Sequence, residues 1–321
     1  MREHHHQQQN TEITKCESNQ NWAHSERHEA DNNGTAYVSN RLTYVANAGV
    51  LLNLQGKKIL IDGLCREGFD LYPPTPGKIA EDIVSGVPPY DEIDLMLFTH
   101  HHGDHFDPEL VAKYVRNGGT ATIVSTEKAI AAIRERLQTE QEAADPDLQP
   151  ERVAAVDLQP ERVVADHDLQ PEWEGQLISL DLGPGDRKVL NLSGIEVEAI
   201  SMTHFGKEYE TVRNLAFLIK GNLQILHVGD GAAEPENYEG MQFGAEDLDH
   251  MIVPFPYVSL PASRKLVEEW VRPKRIIALH LPQKEKDVYG WIASAKKSAA
   301  RAEQSFPAVT FLEVFGEEYK L

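Results

Sequence analysis

Leu95-Met-Leu-Phe-Thr-His-His-His-Gly-Asp-His105 decides how this chain is read. Its first four residues are apolar and fit a short buried strand. Two residues apart in extended chain, His100 and His102 point the same way, which suits two imidazoles sharing one metal. A turn at Gly103 then swings Asp104 and His105 towards a second position. A polar surface loop has no reason to place three histidines and an aspartate in this spacing at the end of a strand.

Working outward, four more strand-like runs each end on a residue of the same chemistry. Lys58-Ile-Leu-Ile61 leads to Asp62, and the alternating Ile195–Thr203 leads to His204. Leu223–Gly229 leads to Asp230, and Arg275–Leu279 leads to His280. The motif and this order resemble the metallo-β-lactamase superfamily over roughly residues 36–321. The resemblance implies a four-layer αββα sandwich, an α/β fold; strand and helix periodicity alone says only α/β or α+β. It also implies that His100, His102 and His204 hold one metal, and that Asp104, His105 and His280 hold a second. Asp230 bridges the two, and Asp104 and Asp230 are the carboxylates with a catalytic part. Asp62 matches an early aspartate that holds the ligand loop by hydrogen bonds.

Imidazole and carboxylate donors suit zinc, and a set without thiolate also suits Mn or Fe. Two divalent ions of this kind generate a hydroxide nucleophile near neutral pH and polarise the bond under attack. The implied activity is therefore metal-dependent hydrolysis. The order of Asn214–Ile219 followed by Leu226–Asp230 resembles the ascorbate-6-phosphate lactonase-like branch, which points to a lactone or phosphodiester of a small molecule. Asp230-Gly231 departs from that branch, where Asp-Thr is usual. The superfamily's redox flavodiiron members carry Glu where this chain has His102, which favours hydrolysis, whereas a persulfide dioxygenase keeps a similar run. The tRNA 3′-end processing nuclease resembles His102–His105 and Ala278–His280 and gives the alternative reading. A non-catalytic metal-binding protein is a further alternative, against which stands the complete ligand set.

Composition separates these. The 321 residues carry a formal net charge of −20, and an acidic surface repels phosphate backbones, so nucleic acid is not the expected partner. No apolar run reaches bilayer length and no signal pattern opens the chain, so neither a membrane nor secretion is expected. The 2 cysteines, Cys16 and Cys65, make no disulfide framework and fit the cytoplasm.

Residues 1–35 are polar and His-rich, with too little apolar surface to offset chain entropy, and read as a disordered tail. Asp107 caps a helix that Pro108 begins, ended by Gly118-Gly119, and Thr126 caps another reaching about Leu137. Asp-Leu-Gln-Pro-Glu then recurs at 147, 157 and 168. These units are too short and apolar-poor to stack, so 138–175 reads as an exposed acidic insertion. Beyond it, hairpins turn at Ser193-Gly194 and Gly221-Asn222, and a helix from Ser263 turns Leu266, Val267, Trp270 and Val271 inward. A last helix spans about Asp287–Ala302 before a strand around Val309–Val314. His227 is placed either to orient Asp230 or to sit as a satisfied strand-end histidine, and Pro254–Ser259 either to line a pocket, with Tyr257 as donor, or to pack.

Overall fold

The computed structural model describes residues 39–66, 70–144, 171–241 and 247–321. The polar tail, the first two repeat units and residues 168–170 of the third lie outside the described residues. Among the described residues, fourteen strands form two sheets of seven. The first takes β1 (Arg41–Tyr44), β2 (Val50–Leu54), β3 (Lys57–Ile61), β4 (Leu95–Leu97), β5 (Thr122–Thr126) and β6 (Leu177–Leu180). The second takes β7 (Arg187–Leu192), β8 (Ile195–Thr203), β9 (Arg213–Lys220), β10 (Gln224–His227), β11 (His250–Pro254), β12 (Arg275–Leu279) and β13 (Ala308–Phe311). The chain then returns to the first sheet as β14 (Glu318–Lys320), antiparallel to β1.

Helices α1 (Gly77–Val84), α2 (Pro108–Arg116) and α3 (Glu127–Ala144) cover the first sheet. Helices α4 (Pro235–Tyr238), α5 (Pro256–Ser259), α6 (Pro261–Leu266) and α7 (Trp291–Ala302) belong with the second. Four layers result because successive side chains of a strand face opposite ways. Leu60 enters the core under α1–α3, while Ile59 and Ile61 enter the core between the sheets. Likewise Met251 packs beneath the second helical layer and Ile252 between the sheets. Strands buried on both faces read as continuous apolar runs, which is why Leu95–Leu97 and Ile276–Leu279 show no alternation.

Strands β3 to β6 run parallel, as do β10 to β12. Strand β8 shares the direction of β10 because both are antiparallel to β9. The carboxyl ends of β3, β4, β8, β10 and β12 thus carry the five segments that end on Asp62, the histidine loop, His204, Asp230 and His280. Ligands of α/β sheets gather at such ends.

Four expectations are corrected. Helix α3 runs to Ala144 rather than Leu137. At the far side of the acidic segment, Trp173 packs against the core and Glu174 is gripped by Arg134 through Nε at 3.0 and 3.1 Å. Both borders of 138–175 therefore belong to the folded body. Thr126 does not cap α3: it is the last residue of β5, and its buried Oγ1 has no hydrogen-bond partner. Trp270 is 42% exposed, because Val267–Val271 winds as a π-turn that moves it off the inner face.

Candidate metal centre

The loop after β4 is not extended strand, and its shape comes from two anchors. Asp62, buried at the end of β3, accepts the Thr99 N–H (2.8 Å) and the Thr99 hydroxyl (2.7 Å), and also meets Nδ1 of His105 at 2.8 Å. The His102 carbonyl accepts the N–H groups of both His105 and Phe106, closing a tight turn without a positive φ at Gly103. His100 and His102 are brought together by this loop, their ring centroids 4.6 Å apart.

His204 follows β8, and its Nδ1 lies 2.7 Å from the Phe205 carbonyl. Asp230 follows a turn at Gly229 whose φ is +56°, and a Cβ there would sit 2.6 Å from Asn214 Oδ1 and 2.7 Å from Thr99 Cβ. Only glycine fits this space. Asn214 clamps the turn: its Oδ1 accepts the Asp230 N–H at 3.0 Å, and its Nδ2 donates to the Val228 carbonyl at 2.9 Å. His227 does not touch Asp230. Its Nε2 reaches the Ala48 carbonyl at 3.0 Å and its Nδ1 accepts the Gly229 N–H at 3.1 Å, so it holds the same turn from the other side. His280 adopts a φ of +58°, a rare conformation for a residue with a side chain. Its N–H donates to the carbonyl of Asn47, whose Nδ2 donates to the Asp104 carbonyl. Asn47 is a positioning residue that no sequence signal marked.

The seven residues expected to ligate metal fall into two donor groups. His100, His102 and His204 form one; Asp104, His105, Asp230 and His280 form the other, with the donor atoms of each group within 4.8 Å of one another. Asp230 reaches both, its Oδ2 lying 3.2 Å from His105 Nε2 and 3.6 Å from His204 Nε2. His101 stays outside both groups, beside the His102 ring.

Hydrogen bonds test whether cations fit here. The Phe205 carbonyl fixes a proton on Nδ1 of His204, leaving Nε2 bare. Thr99 spends its one hydroxyl proton on Asp62, so it can only accept from Nδ1 of His100, whose Nε2 is then bare too. These two lone pairs face each other at 3.3 Å. In the same way, Asp62 fixes the proton on His105 Nδ1, and His105 Nε2 faces His280 Nε2 at 3.1 Å. Asp104 Oδ1 is buried with no partner. Facing acceptors and an orphaned carboxylate oxygen call for positive charge between them, and the residues fit a metal pair.

The field agrees. Burial, then the neighbouring His105, holds the His100 imidazole well below its usual range, and burial with His204 holds His102 down to about 4. Both are neutral and free to ligate. Burial opposes charge on Asp230, but His280 and His105 outweigh it and keep the carboxyl well below its usual range. Burial likewise opposes a proton on His105, but the Asp230, Asp62 and Asp104 carboxylates overcome it and hold this imidazole well above its usual value. The charge that draws a proton there draws a metal cation equally.

A family model described as a β-lactamase superfamily domain matches residues 41–280. The chain belongs to the β-lactamase superfamily. Solved structures with this fold include Igni18, a novel metallo hydrolase from the archaeon Ignicoccus hospitalis, at 15% identity and TM-score 0.53, covering 88% of this chain and 99% of that one. The isothiocyanate hydrolase from Delia radicum gut bacteria aligns at 15% identity and TM-score 0.54, covering 88% and 99%. CmlA, a diiron β-hydroxylase from Streptomyces venezuelae, aligns at 13% identity and TM-score 0.53, covering 88% of this chain and 54% of its own. No functionally curated protein matches the sequence. At these identities the superfamily likeness is one of fold, with structural neighbours that include metallo-hydrolases. Among the described residues, no helix is long and apolar enough to cross a membrane.

A cleft of about 640 Å³ opens over the donor groups, floored by His102, Asp104, His204, Asp230 and His280. Tyr72 lies edge-on to His280, with ring centroids 4.1 Å apart, and burial followed by the nearby Asp230 and Asp104 keeps its phenol protonated. Pro254, Phe255 and Pro256 line the cleft, but Tyr257 does not. It is buried, and its hydroxyl donates to the Gly231 carbonyl at 2.7 Å.

Proposed function

We propose that this protein is a cytoplasmic, dinuclear metal-dependent hydrolase that cleaves an ester-type bond, lactone or phosphodiester, in a small molecule. The observation that carries the reading is the meeting of two complete donor groups on Asp230. Zinc is the metal the imidazole and carboxylate donors suit, with Mn and Fe compatible. His100, His102 and His204 would hold one ion, Asp104, His105 and His280 the other, and Asp230 both. Bound there, the ions supply Lewis acidity and a water acidified to react near neutral pH.

The chain's own residues do the rest. Asp104 and Asp230 set the negative charge of the site and offer oxygens that orient water. Asp62, Asn47 and Asn214 fix the backbone that aims the ligands, in the manner of residues that tune a metal from behind its ligands. The Tyr72 phenol is placed to donate a hydrogen bond to charge developing on the substrate. A nucleic acid is the less favoured substrate, since the cleft carries Asp70 and Glu208 beside Lys286 and the whole chain is strongly acidic. The lactonase-like branch is the preferred placement.

The test uses untagged, metal-replete protein against a lactone reporter and bis(p-nitrophenyl) phosphate, with tRNA as a third substrate. Chelator-sensitive turnover of a small-molecule ester supports the reading. Cleavage of tRNA alone, or inertness towards all three with metals bound, overturns it.

A further inference from the structure

The upper part of the cleft has a chemistry its metal-facing floor does not explain. Tyr209 lies against His102 and His204, with ring centroids 5.1 and 5.0 Å away. Phe205, the residue after His204, is 41% exposed, and in the turn before α7 Val288 and Tyr289 are 80% and 77% exposed. All four line the cleft. Apolar side chains clustered at a cavity mouth mark a binding surface more often than singly scattered ones.

The turn that displays Val288 and Tyr289 is held firmly. The Lys286 N–H donates to the Gln283 carbonyl at 2.8 Å, and the Val288 N–H to the Lys286 carbonyl at 2.9 Å. Asp287 accepts the N–H groups of Trp291 and Ile292 at 2.7 and 3.0 Å, capping α7. Behind the turn the Tyr289, Trp291 and Phe255 rings stack in series, with centroids 5.2 and 6.0 Å apart. Among the described residues that line the cleft, the one lysine or arginine is already committed: Lys286 Nζ donates to both the carboxylate and the carbonyl oxygen of Asp70. A rigid apolar rim with its positive charge neutralised suits hydrocarbon better than phosphate.

We propose that Val288, Tyr289 and Phe205 form a subsite for the acyl or aryl arm of the substrate, so that the bond cleaved belongs to a molecule with a hydrocarbon chain. This deepens the hydrolase reading and rests on it. Each buried methylene tightens binding about fourfold.

Two measurements test it. The first compares kcat/KM for γ-butyrolactone and γ-nonalactone on metal-replete protein, in the wild type and in the double variant Val288→Ser with Tyr289→Ser. The second titrates butyrate and octanoate by tryptophan fluorescence, with Trp291→Phe identifying the reporting residue. The expected result is a preference for the longer lactone of at least about tenfold, carried by KM, which falls towards one in the double variant while its metal content is kept. Octanoate should bind at least about tenfold more tightly than butyrate. Octanoate preference without any lactone turnover supports the subsite and sinks the hydrolase reading. Turnover with no chain-length preference in either measurement overturns the subsite and leaves the hydrolase. A dimer in sedimentation that the double variant dissociates, again with no chain-length preference, overturns it in favour of a second copy of the chain.

Discussion

Nε2 of His105 and Nε2 of His280 face each other at 3.1 Å, each also close to the Asp230 carboxylate, at 3.2 and 3.5 Å. Two imidazole acceptors are held this close only with a cation or a proton between them. Elemental analysis of untagged protein is expected to give about two transition-metal ions per chain. Asp230→Ala should lose metal from both groups, because its carboxylate reaches both. One ion per chain under replete conditions, or a variant that keeps both, counts against the pair.

Asp62 holds His105 from behind, at 2.8 Å from its Nδ1, and is expected to influence a bound metal without touching it. Asp62→Asn removes the charge that fixes the His105 tautomer and is expected to weaken metal affinity about 10–100-fold. Asp62→Ala also strands the Thr99 N–H and hydroxyl in the interior and should cost on the order of 3 kcal/mol of stability. Metal competition with a chromophoric chelator, and urea unfolding, measure the two effects. Wild-type affinity in Asp62→Asn would remove Asp62 from the design.

Asn214 makes the corresponding test on the second sheet. Asn214→Ala deletes both bonds that clamp the Val228–Asp230 turn and is expected to cost about 2 kcal/mol and weaken metal binding. Asn214→Asp keeps the acceptor for the Asp230 N–H but sets a buried carboxylate oxygen against the Val228 carbonyl, and should cost at least as much stability as Asn214→Ala. An Asn214→Asp protein more stable than Asn214→Ala would show that the bond to Val228 does not matter.

The two donor groups were legible as candidates in the sequence because their residues stand at or just after the ends of apolar strands, in residue types that have few other reasons to cluster. The layers were legible only through resemblance, since strands buried on both faces lose the alternation that marks a sheet. What escaped was set by tertiary contact. Nothing local distinguishes Asn47 from other loop asparagines; its role comes from His280, far along the chain. The three residues of β14 carry no period and become a strand only by pairing with β1. Trp270 was misplaced because helical periodicity fails across a π-turn, and Thr126 because a good capping residue was already taken up by a strand.

Stability of the metal-free protein should follow its histidines. Burial holds His101 and His102 near 4, against an ordinary value of 6.5, with the Lys128 cation adding to the effect on His101. Between those values the unfolded chain binds protons that the folded chain refuses, so stability rises with pH from about 4 to 6.5 and is lost as pH falls through that window. His105, held up by its carboxylates, acts oppositely: its contribution is complete below 6.5 and is lost as pH rises through its higher folded value. Melting temperatures of chelator-treated protein should therefore peak near 6.5, and His101→Gln with His102→Gln should flatten the acid limb. A melting temperature independent of pH below 6.5 would contradict this.

The last expectation concerns the acidic segment, whose borders the structure moves. Helix α3 extends to Ala144, and Trp173 and Glu174 are tied to the folded body, so the replaceable part is residues 145–170. Its two whole repeats bring charge and a proline each but little apolar surface, and loop-closure entropy grows slowly with length. Replacing residues 145–170 with a Gly/Ser linker should leave metal content intact and move the melting temperature by a few degrees at most, a change on the order of 1 kcal/mol. Replacing 138–175 instead removes the last turns of α3, the Trp173 contact and the Arg134–Glu174 pair, and should cost clearly more. Equal melting temperatures for the two deletions would mean that Trp173 and Glu174 contribute nothing. Collapse of the shorter deletion would mean that the repeats pack against the sandwich. Intact folding with lost turnover would make the segment part of the active site.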